Sequence, residues 1–259
     1  VIARALARGT VEAFLPAGPC VLCGRDSARG PAPGLCRSCW RARRRPEPPA
    51  CPTCGLPLPP VEGQEAHPCG ECLADPPPFE ACSSAFVYRG PVRSLVLLYK
   101  DRRRYPLSRL MGRALARHAR ATWPHASWDA VVYVPSPWRR RWARGFEPAG
   151  LVAREAAAFL GLPCHRWLRP RKAPVAQKGL TRAQRRENVR AAFTVVRPRV
   201  EGRSLLLVDD VRTTGATLRE CARVLSRAGA KVHAATFAVV LTRDLDLASS
   251  HEIGEANDV

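Results

Sequence analysis

From residue 81 onward, short apolar runs alternate with longer stretches in which apolar residues return every three or four positions. The segments "SLVLLYK" (94–100) and "PLSRLMGRALARHARATW" (106–123) carry the helical spacing, the second with Pro106 at its start and Leu107, Leu110, Met111 and Leu115 on one face. "DAVVYVP" (129–135) predicts a buried strand, and "EPAGLVAREAAAFLG" (147–161) a helix closed by Gly161 as its C-cap. Thr181 and Gln184 in "LTRAQRRENVRAAF" stand at capping-box spacing and predict a helix start. A strand at 205–208 follows, then a loop, a helix to about Ala228 with Gly229 as its C-cap, and the strand "KVHAATFAVVL" (231–241). Strands that are apolar on both faces and alternate with helices predict an α/β fold, a mostly parallel sheet flanked by helices.

Before residue 80 this periodicity is missing. Prolines are dense, and eight of the eleven cysteines fall into four Cys-x-x-Cys knuckles: Cys20 with Cys23, Cys36 with Cys39, Cys51 with Cys54, and Cys69 with Cys72. Each knuckle offers two thiolates to one metal, so two knuckles complete a tetrahedral site and eight ligands hold two Zn2+ ions with no open position. We expect structural sites paired in sequence order, Cys20/23/36/39 and Cys51/54/69/72, rather than an interleaved cross-brace; His67 is the alternative ligand, at poor spacing before Cys69. The metal would supply the folding free energy of a segment with no core of its own. Cys82, Cys164 and Cys221 stand alone and are expected to be small buried apolar residues. The expected organisation is a module of an N-terminal helix and a double zinc ribbon over 1–80, a sheet domain over 81–243, and a disordered tail over 244–259.

No run reaches the ~18 apolar residues of a membrane span. The first residues, "VIARALARGTVEAFLPAGP", are interrupted by Arg4, Arg8 and Glu12, unlike a secretory signal. The expectation is a cytoplasmic chain without membrane insertion, in a compartment where thiols bind metal rather than form disulfides. A formal net charge of +20 calls for a polyanionic partner, nucleic acid or a phosphorylated small molecule. Most of that charge is arginine beside abundant Ala, Pro and Gly, which GC-rich coding also produces, so the placement of the arginines says more than their number.

One stretch joins apolar strand to chemistry. In "SLLLVDDVRTTGATLRE" (204–220) a strand runs into Asp209 and Asp210, then into Thr213, Thr214, Gly215, Ala216 and Thr217 at the start of a helix. Amides at a helix N-terminus, a glycine that admits close approach and threonine hydroxyls make a phosphate cradle. The paired carboxylates need hydroxyls or a divalent cation. A monophosphate beside a diol, as in a ribose 5-phosphate, meets both demands; the nucleotide-binding patterns G-x-x-x-x-G-K-[ST] and G-x-G-x-x-G are absent.

"VDDVRTTGATL" resembles the 5-phosphoribosyl 1-pyrophosphate (PRPP) signature of type I phosphoribosyltransferases. With "FLPAGPCVLCG" and the knuckles after it, "VYVPSPWRRRWARGFE" and "RKAPVAQKGLTRAQRRENVRAAF" in this order, the chain resembles the ComF (ComFC-like) competence proteins from about Phe14 to Leu241. The resemblance implies that Asp209 and Asp210 hold the ribose hydroxyls and Thr213 to Thr217 the 5′-phosphate. It implies a pyrophosphate loop at Pro135, Ser136 and Pro137, with Arg139, Arg140 and Arg144 neutralising the diphosphate and its Mg2+. It further implies a hood over the site in which Lys172, Gln177, Arg182, Arg186 and Asn188 fall on family positions. Where the family continues Asn-Gln after Arg144-Gly145-Phe146, this chain has Glu147-Pro148, so any role of that amide pair is lost or moved.

Two functions are expected from this reading. One is Mg2+-dependent transfer of ribose 5-phosphate from PRPP, for which no acceptor pocket is legible. The other is a non-catalytic role in DNA uptake, with PRPP only a ligand. In that reading Arg41, Arg43, Arg44 and Arg45, the run Arg102, Arg103 and Arg104, and "WRRRWARGF" interleave with Trp138, Trp142, Tyr105 and Phe146 to track and stack single-stranded DNA. The zinc module would then share the DNA interface or, as the resemblance implies, dock a competence helicase.

Overall fold

A computed structural model describes residues 18–27, 30–31, 34–59, 67–101, 104–136, 142, 144–171, 192–196 and 200–241. The chain divides into two compact units, Val1–Arg43 and Arg44–Val259. In the smaller unit, Pro19 and Asp26 form an antiparallel bridge around the first knuckle, and helix α1 (Arg37–Arg41) begins at Cys36, whose sulfur accepts from the amide of Cys39.

The larger unit carries helices α2 (Gly70–Ala74), α3 (Pro91–Asp101), α4 (Leu107–Thr122), α5 (Pro148–Leu160) and α6 (Ala216–Arg227). Its strands are β1 (Ala81–Val87), β2 (Ala130–Tyr133), β3 (Cys164–His165), β4 (Leu168–Pro170), β5 (Phe193–Val195), β6 (Ser204–Arg212) and β7 (Lys231–Val239). Five strands form one sheet in the order β1-β7-β6-β2-β3 with every neighbour parallel; β4 and β5 form a separate antiparallel pair. The expected α/β sheet is therefore present.

Strand alternation sorts the core into two faces. Leu205 and Leu207 of β6, with Val132 of β2 and Ala234 of β7, pack with Leu218, Cys221 and Leu225 of α6 and with Leu168 and Phe193 of the β4–β5 pair. Helices α4 and α5 pack on each other and on the sheet. Cys82 and Cys221 are buried as expected, whereas Cys164 is only half-buried.

The predicted helices at 94–100, 106–123 and 147–161 correspond to α3, α4 and α5, with Gly161 in the left-handed conformation at φ 70°. The predicted strand at 205–208 is longer than its apolar core: the ladder with β7 continues past both aspartates to Arg212. Backbone pairing outweighs side-chain polarity there, so the loop shrinks to residues 213–215. The apolar pattern predicts none of strands β1, β3, β4 and β5. The helix predicted from Thr181 and the tail 244–259 lie outside the described residues; Phe193 at the far end of that stretch opens β5.

Gly112 marks where α4 meets α5. A Cβ there would stand 2.5 Å from Glu155 Cβ and 2.6 Å from the Val152 carbonyl oxygen. Alanine is favoured over glycine in a helix by about 1 kcal/mol, but overpacking against backbone costs about 1–3 kcal/mol. Gly112→Ala should therefore lower stability in a denaturant melt with an unchanged m-value.

Candidate functional site

The sheet order reverses between β6 and β2. From β2 the chain passes through α5 to β3 on one side, and from β6 through α6 to β7 on the other. In such a sheet the crevice beyond the carboxyl ends of the diverging strands is the place for a ligand. Register pairs Tyr133 with Val208, so the turn at Pro135–Ser136 and the residues from Asp209 to Gly215 share that edge. The structure thus brings together the predicted carboxylates, the predicted phosphate cradle and the start of the predicted pyrophosphate loop.

Gly215 adopts φ 75°, a left-handed turn that a β-carbon would strain, and starts α6 without any side-chain cap. The Arg219 amide donates to the Gly215 carbonyl at 2.8 Å, so the amides of Thr217 and Leu218 belong to the open first turn. Thr214 Oγ1 accepts from the Ala216 amide at 3.4 Å, while Thr213 is exposed beside it. This terminus carries the positive end of the α6 dipole and backbone donors, the elements that bind a phosphate.

Because Asp209 and Asp210 lie on a strand, they point to opposite faces. Asp210 is buried and accepts from Lys100 Nζ of α3 at 2.9 Å. Burial first, then the Asp210 charge, raises the Tyr99 hydroxyl on that side. Asp209 keeps a partly exposed edge but is sunk among protein atoms toward α6, where burial and then its charge push up the Cys221 thiol. Desolvation, followed by repulsion from Asp210, holds the Asp209 carboxyl well above the usual carboxylate range; Lys100 and the Asp210 amide, which donates to Asp209 Oδ1 at 2.8 Å, pull the other way. Lys100 was not singled out in the sequence. The only signal for it was a lone cation ending an apolar helix.

Ser136 donates its amide to Glu147 Oε1 at the start of α5. The departure from the family pattern therefore anchors the turn after β2, and Arg166 Nη2 lies 3.9 Å from the other carboxylate oxygen. Arg144 Nη2 lies 3.9 Å from Asp101 Oδ1. Tyr105 and Phe146 pack edge to face at 4.9 Å, and Phe146 meets Tyr99 at 5.5 Å, so these two aromatics form one cluster with Tyr99 of α3. Trp142 is 79% exposed. Arg41, Arg44, Arg45 and Arg104 are exposed, whereas Arg43 lies over the Trp40 ring at 4.2 Å and donates to the Trp40 carbonyl. The run 41–45 spans the division between the two units. Arg102, Arg103, Pro137, Trp138, Arg139, Arg140, Lys172, Gln177, Arg182, Arg186 and Asn188 lie outside the described residues.

The eight knuckle thiols gather in sequence order. Cys20, Cys23, Cys36 and Cys39 form one set and Cys51, Cys54, Cys69 and Cys72 the other, each with all sulfurs within 4.8 Å; His67 belongs to neither. The Cys23–Cys36 and Cys54–Cys69 sulfur distances are 3.6 and 3.7 Å. Four thiolates around Zn2+ at about 2.3 Å stand about 3.8 Å apart, whereas a disulfide needs about 2.05 Å. Burial pushes the Cys51 thiol up, but the amides of Cys54, Cys69 and Thr53 outweigh it and bring it down to about 6. Desolvation, with the charge of Cys51 contributing, pushes Cys54 up to about 12. A set that favours one thiolate and resists the next needs a cation to ionise fully.

Residues 10–73 match the model of the double zinc ribbon domain and residues 143–249 that of the phosphoribosyl transferase domain. The DNA utilization protein YhgH of Escherichia coli K12 is 35% identical over 226 residues, covering 82% of this chain and 92% of that protein. Competence protein F of Haemophilus influenzae is 30% identical over 202 residues, covering 76% and 86%. The chain belongs to the ComF family. Among solved structures, this ComF chain resembles a Bacillus subtilis glutamine PRPP amidotransferase at 25% identity and a TM-score of 0.35, covering 50% of this chain and 25% of that one. It also resembles adenine phosphoribosyltransferase from Saccharomyces cerevisiae at 18% identity and a TM-score of 0.36, covering 56% and 73%. Zinc fits both thiol sets of the ribbon. Among the described residues of the ComF chain, no helix is long and apolar enough to cross a membrane.

The raised Asp209 carboxyl carries a sign that can be measured. The folded state binds this proton more tightly than the unfolded state, so ionising Asp209 costs stability that is lost as pH rises from about 4 toward the raised folded value. Asp209→Asn keeps the acceptor for the Asp210 amide and removes the charge. The ligand-free variant should melt higher than wild type at pH 7.5, by about 2–4 °C for each kcal/mol relieved, and the gain should vanish below about pH 4.

Proposed function

We propose that this protein binds PRPP with Mg2+ in the β6–β2 crevice and transfers its ribose 5-phosphate to an acceptor. The observation that carries the reading is the continuity of β6: two aspartates at the end of the strand, then a three-residue turn into the uncapped start of α6. The first-turn amides and the hydroxyls of Thr213, Thr214 and Thr217 bind the 5′-phosphate, and Asp209 and Asp210 accept from the ribose hydroxyls. Lys100, held by Asp210 without ligand, is released toward the phosphates when the ribose arrives. Pro135 and Ser136 begin the pyrophosphate loop; Arg139 and Arg144 neutralise the leaving group; Lys172, Gln177 and Arg182 belong to the hood.

Bound Mg2+ supplies charge neutralisation on the diphosphate. The chain's own part is to orient the ribose, exclude water and stabilise charge on the departing oxygen. The C1′–O bond to pyrophosphate breaks with its electron pair on pyrophosphate, the acceptor's lone pair forms the new bond to C1′, and the acceptor's proton leaves to solvent or to a base. The test is a calorimetric titration of zinc-loaded protein with PRPP, with and without Mg2+. Saturable Mg2+-dependent binding is expected in wild type, and binding weakened at least about tenfold in Asp209→Ala/Asp210→Ala at unchanged zinc content. Absence of binding in wild type would reject the reading.

A second reading is favoured by the exposure of Trp142, at 79%, and of the cations Arg41, Arg44, Arg45 and Arg104. This mixture suits single-stranded DNA, with bases stacked on the tryptophan and phosphates met by arginine. The names DNA utilization protein and competence protein given to relatives support a role in DNA utilization or competence. Arg44→Glu/Arg45→Glu should weaken binding of an oligo-dT strand and reduce the salt slope by about 0.7 for each phosphate no longer neutralised, with PRPP affinity unchanged. An unchanged slope in fluorescence anisotropy would remove these arginines from the interface.

A further inference from the structure

The second thiol set and the phosphate turn touch through two arginines that bracket the turn. Arg212, the last residue of β6, immediately precedes Thr213. Its side chain is buried, and Nη1 donates to the carbonyl of Cys54 and lies 3.4 Å from the sulfur of Cys82. Its Nη2 is buried with no partner among the described residues. Arg219 stands in the first turn of α6. Its Nη1 donates to the Asp75 carbonyl at 2.8 Å and lies 3.4 Å from Asp75 Oδ2, while Nη2 lies 3.8 Å from the sulfur of Cys72. Two members of one metal-ligand set, Cys54 and Cys72, are thereby tied to the two ends of the segment 212–219.

The ribbon is also tied to the sheet. The Cys82 amide of β1 donates to the Thr53 carbonyl at 2.7 Å, inside the Cys51–Cys54 knuckle. Gly55 follows with φ 66°, and a Cβ there would stand 2.5 Å from the Cys82 carbonyl oxygen. The knuckle backbone approaches β1 this closely only because Gly55 has no side chain. A small cleft results, walled by Cys54, Leu56 and Phe79 on one side and by Thr213, Thr214 and Gly215 on the other.

We propose that the Cys51/Cys54/Cys69/Cys72 site is the platform on which the phosphate turn is positioned, so that metal occupancy at this site sets the affinity for the 5′-phosphate. Arg212 and Arg219 are positioning residues. The physical reason lies in what the metal does for the ribbon. A knuckle with no apolar core of its own folds because metal binding supplies the free energy. When the knuckle opens, the carbonyls of Cys54 and Asp75 leave their arginines. A buried guanidinium that loses its acceptor must find water or drag its backbone outward, and the backbone of Arg212 is continuous with Thr213. The turn then loses the alignment of Gly215 and the first-turn amides on which phosphate binding depends.

This inference rests on the phosphate-binding reading of the turn, and its test separates the two. Four full-length proteins are compared: wild type, Cys72→Ala, Arg212→Met/Arg219→Met, and the triple variant. Each is assayed for zinc content, for hydrogen exchange of residues 213–218, and for affinity for ribose 5-phosphate. Cys72→Ala should lose one of two zinc ions, exchange residues 213–218 about tenfold faster while β7 keeps its protection, and bind ribose 5-phosphate about tenfold more weakly. The double methionine variant should keep both zinc ions yet show the same two losses. The triple variant should be no worse than Cys72→Ala, because both changes break one connection. Arg223→Ala, one turn further along α6 where Arg223 pairs with Glu220, should match wild type.

Wild-type exchange at 213–218 in the zinc-depleted variant would overturn the proposal, as would additive losses in the triple variant. Should Cys72→Ala fail to fold, the double methionine variant decides alone: with both zinc ions bound, unchanged exchange at 213–218 overturns the inference. If wild type binds no ribose 5-phosphate, the functional reading falls, and the exchange comparison still decides whether metal site and turn are coupled.

Discussion

The structure depends on the burial of β6 between β7 and β2, with all three strands running the same way. Leu205 to Val208 are wholly buried and have no alternative to the middle of the sheet. Everything polar that follows must therefore emerge at the carboxyl edge, in the gap where connections leave in opposite directions. The ladder bonds to β7 carry the strand through Asp209 and Asp210. These carboxylates are set on a rigid element rather than a loop, and the strand's period of two divides them between the faces. The cost is a like-charge pair in a poorly solvated position, offset on one side by Lys100 and on the other by proton affinity at Asp209.

Two stabilising principles share one chain. The sheet domain is held by apolar burial over both faces. The cysteine segments bury little beyond their own sulfurs and Leu35, with Leu56 and Leu58 partly buried beside the second set, and rely on ligand bonds. The compositional boundary near residue 80 separates these principles, whereas the packing boundary falls at Arg43 and Arg44. The second ribbon lies between those boundaries: its composition is that of the metal module, but its hydrogen bonds go to β1, β6 and α6.

The apolar runs of β2, β6 and β7 and the periodicity of α3, α4 and α5 were legible because they are local. So was the Gly215 turn, where only glycine tolerates the backbone, and so were the four knuckles. The extent of β6 was not legible, since two aspartates read as the end of a strand when the ladder on the neighbouring strand is invisible. Strands β3 and β4 are two and three residues long and are defined by partners far away in sequence. Lys100 and Arg212 escaped for a related reason. Nothing near Lys100 in the sequence hints at Asp210 and nothing near Arg212 hints at Cys54, and these roles exist only once the sheet has closed.

Helix α4 holds four arginines, Arg109, Arg113, Arg117 and Arg120, spaced along one side, while Gly112, Ala116 and Ala119 are buried on another. A glycine codon becomes an arginine codon by a single base change, so a genome drifting toward arginine presses on both sides alike. Only the outer side can yield; at Gly112 even one methyl group meets the backbone of α5. Outward substitutions of this kind usually alter stability by no more than about 0.5 kcal/mol. Charge can thus accumulate or disappear over evolutionary time on the helices' outer sides while the crevice stays as it is, making the +20 of this chain a trait that selection can tune separately from the site.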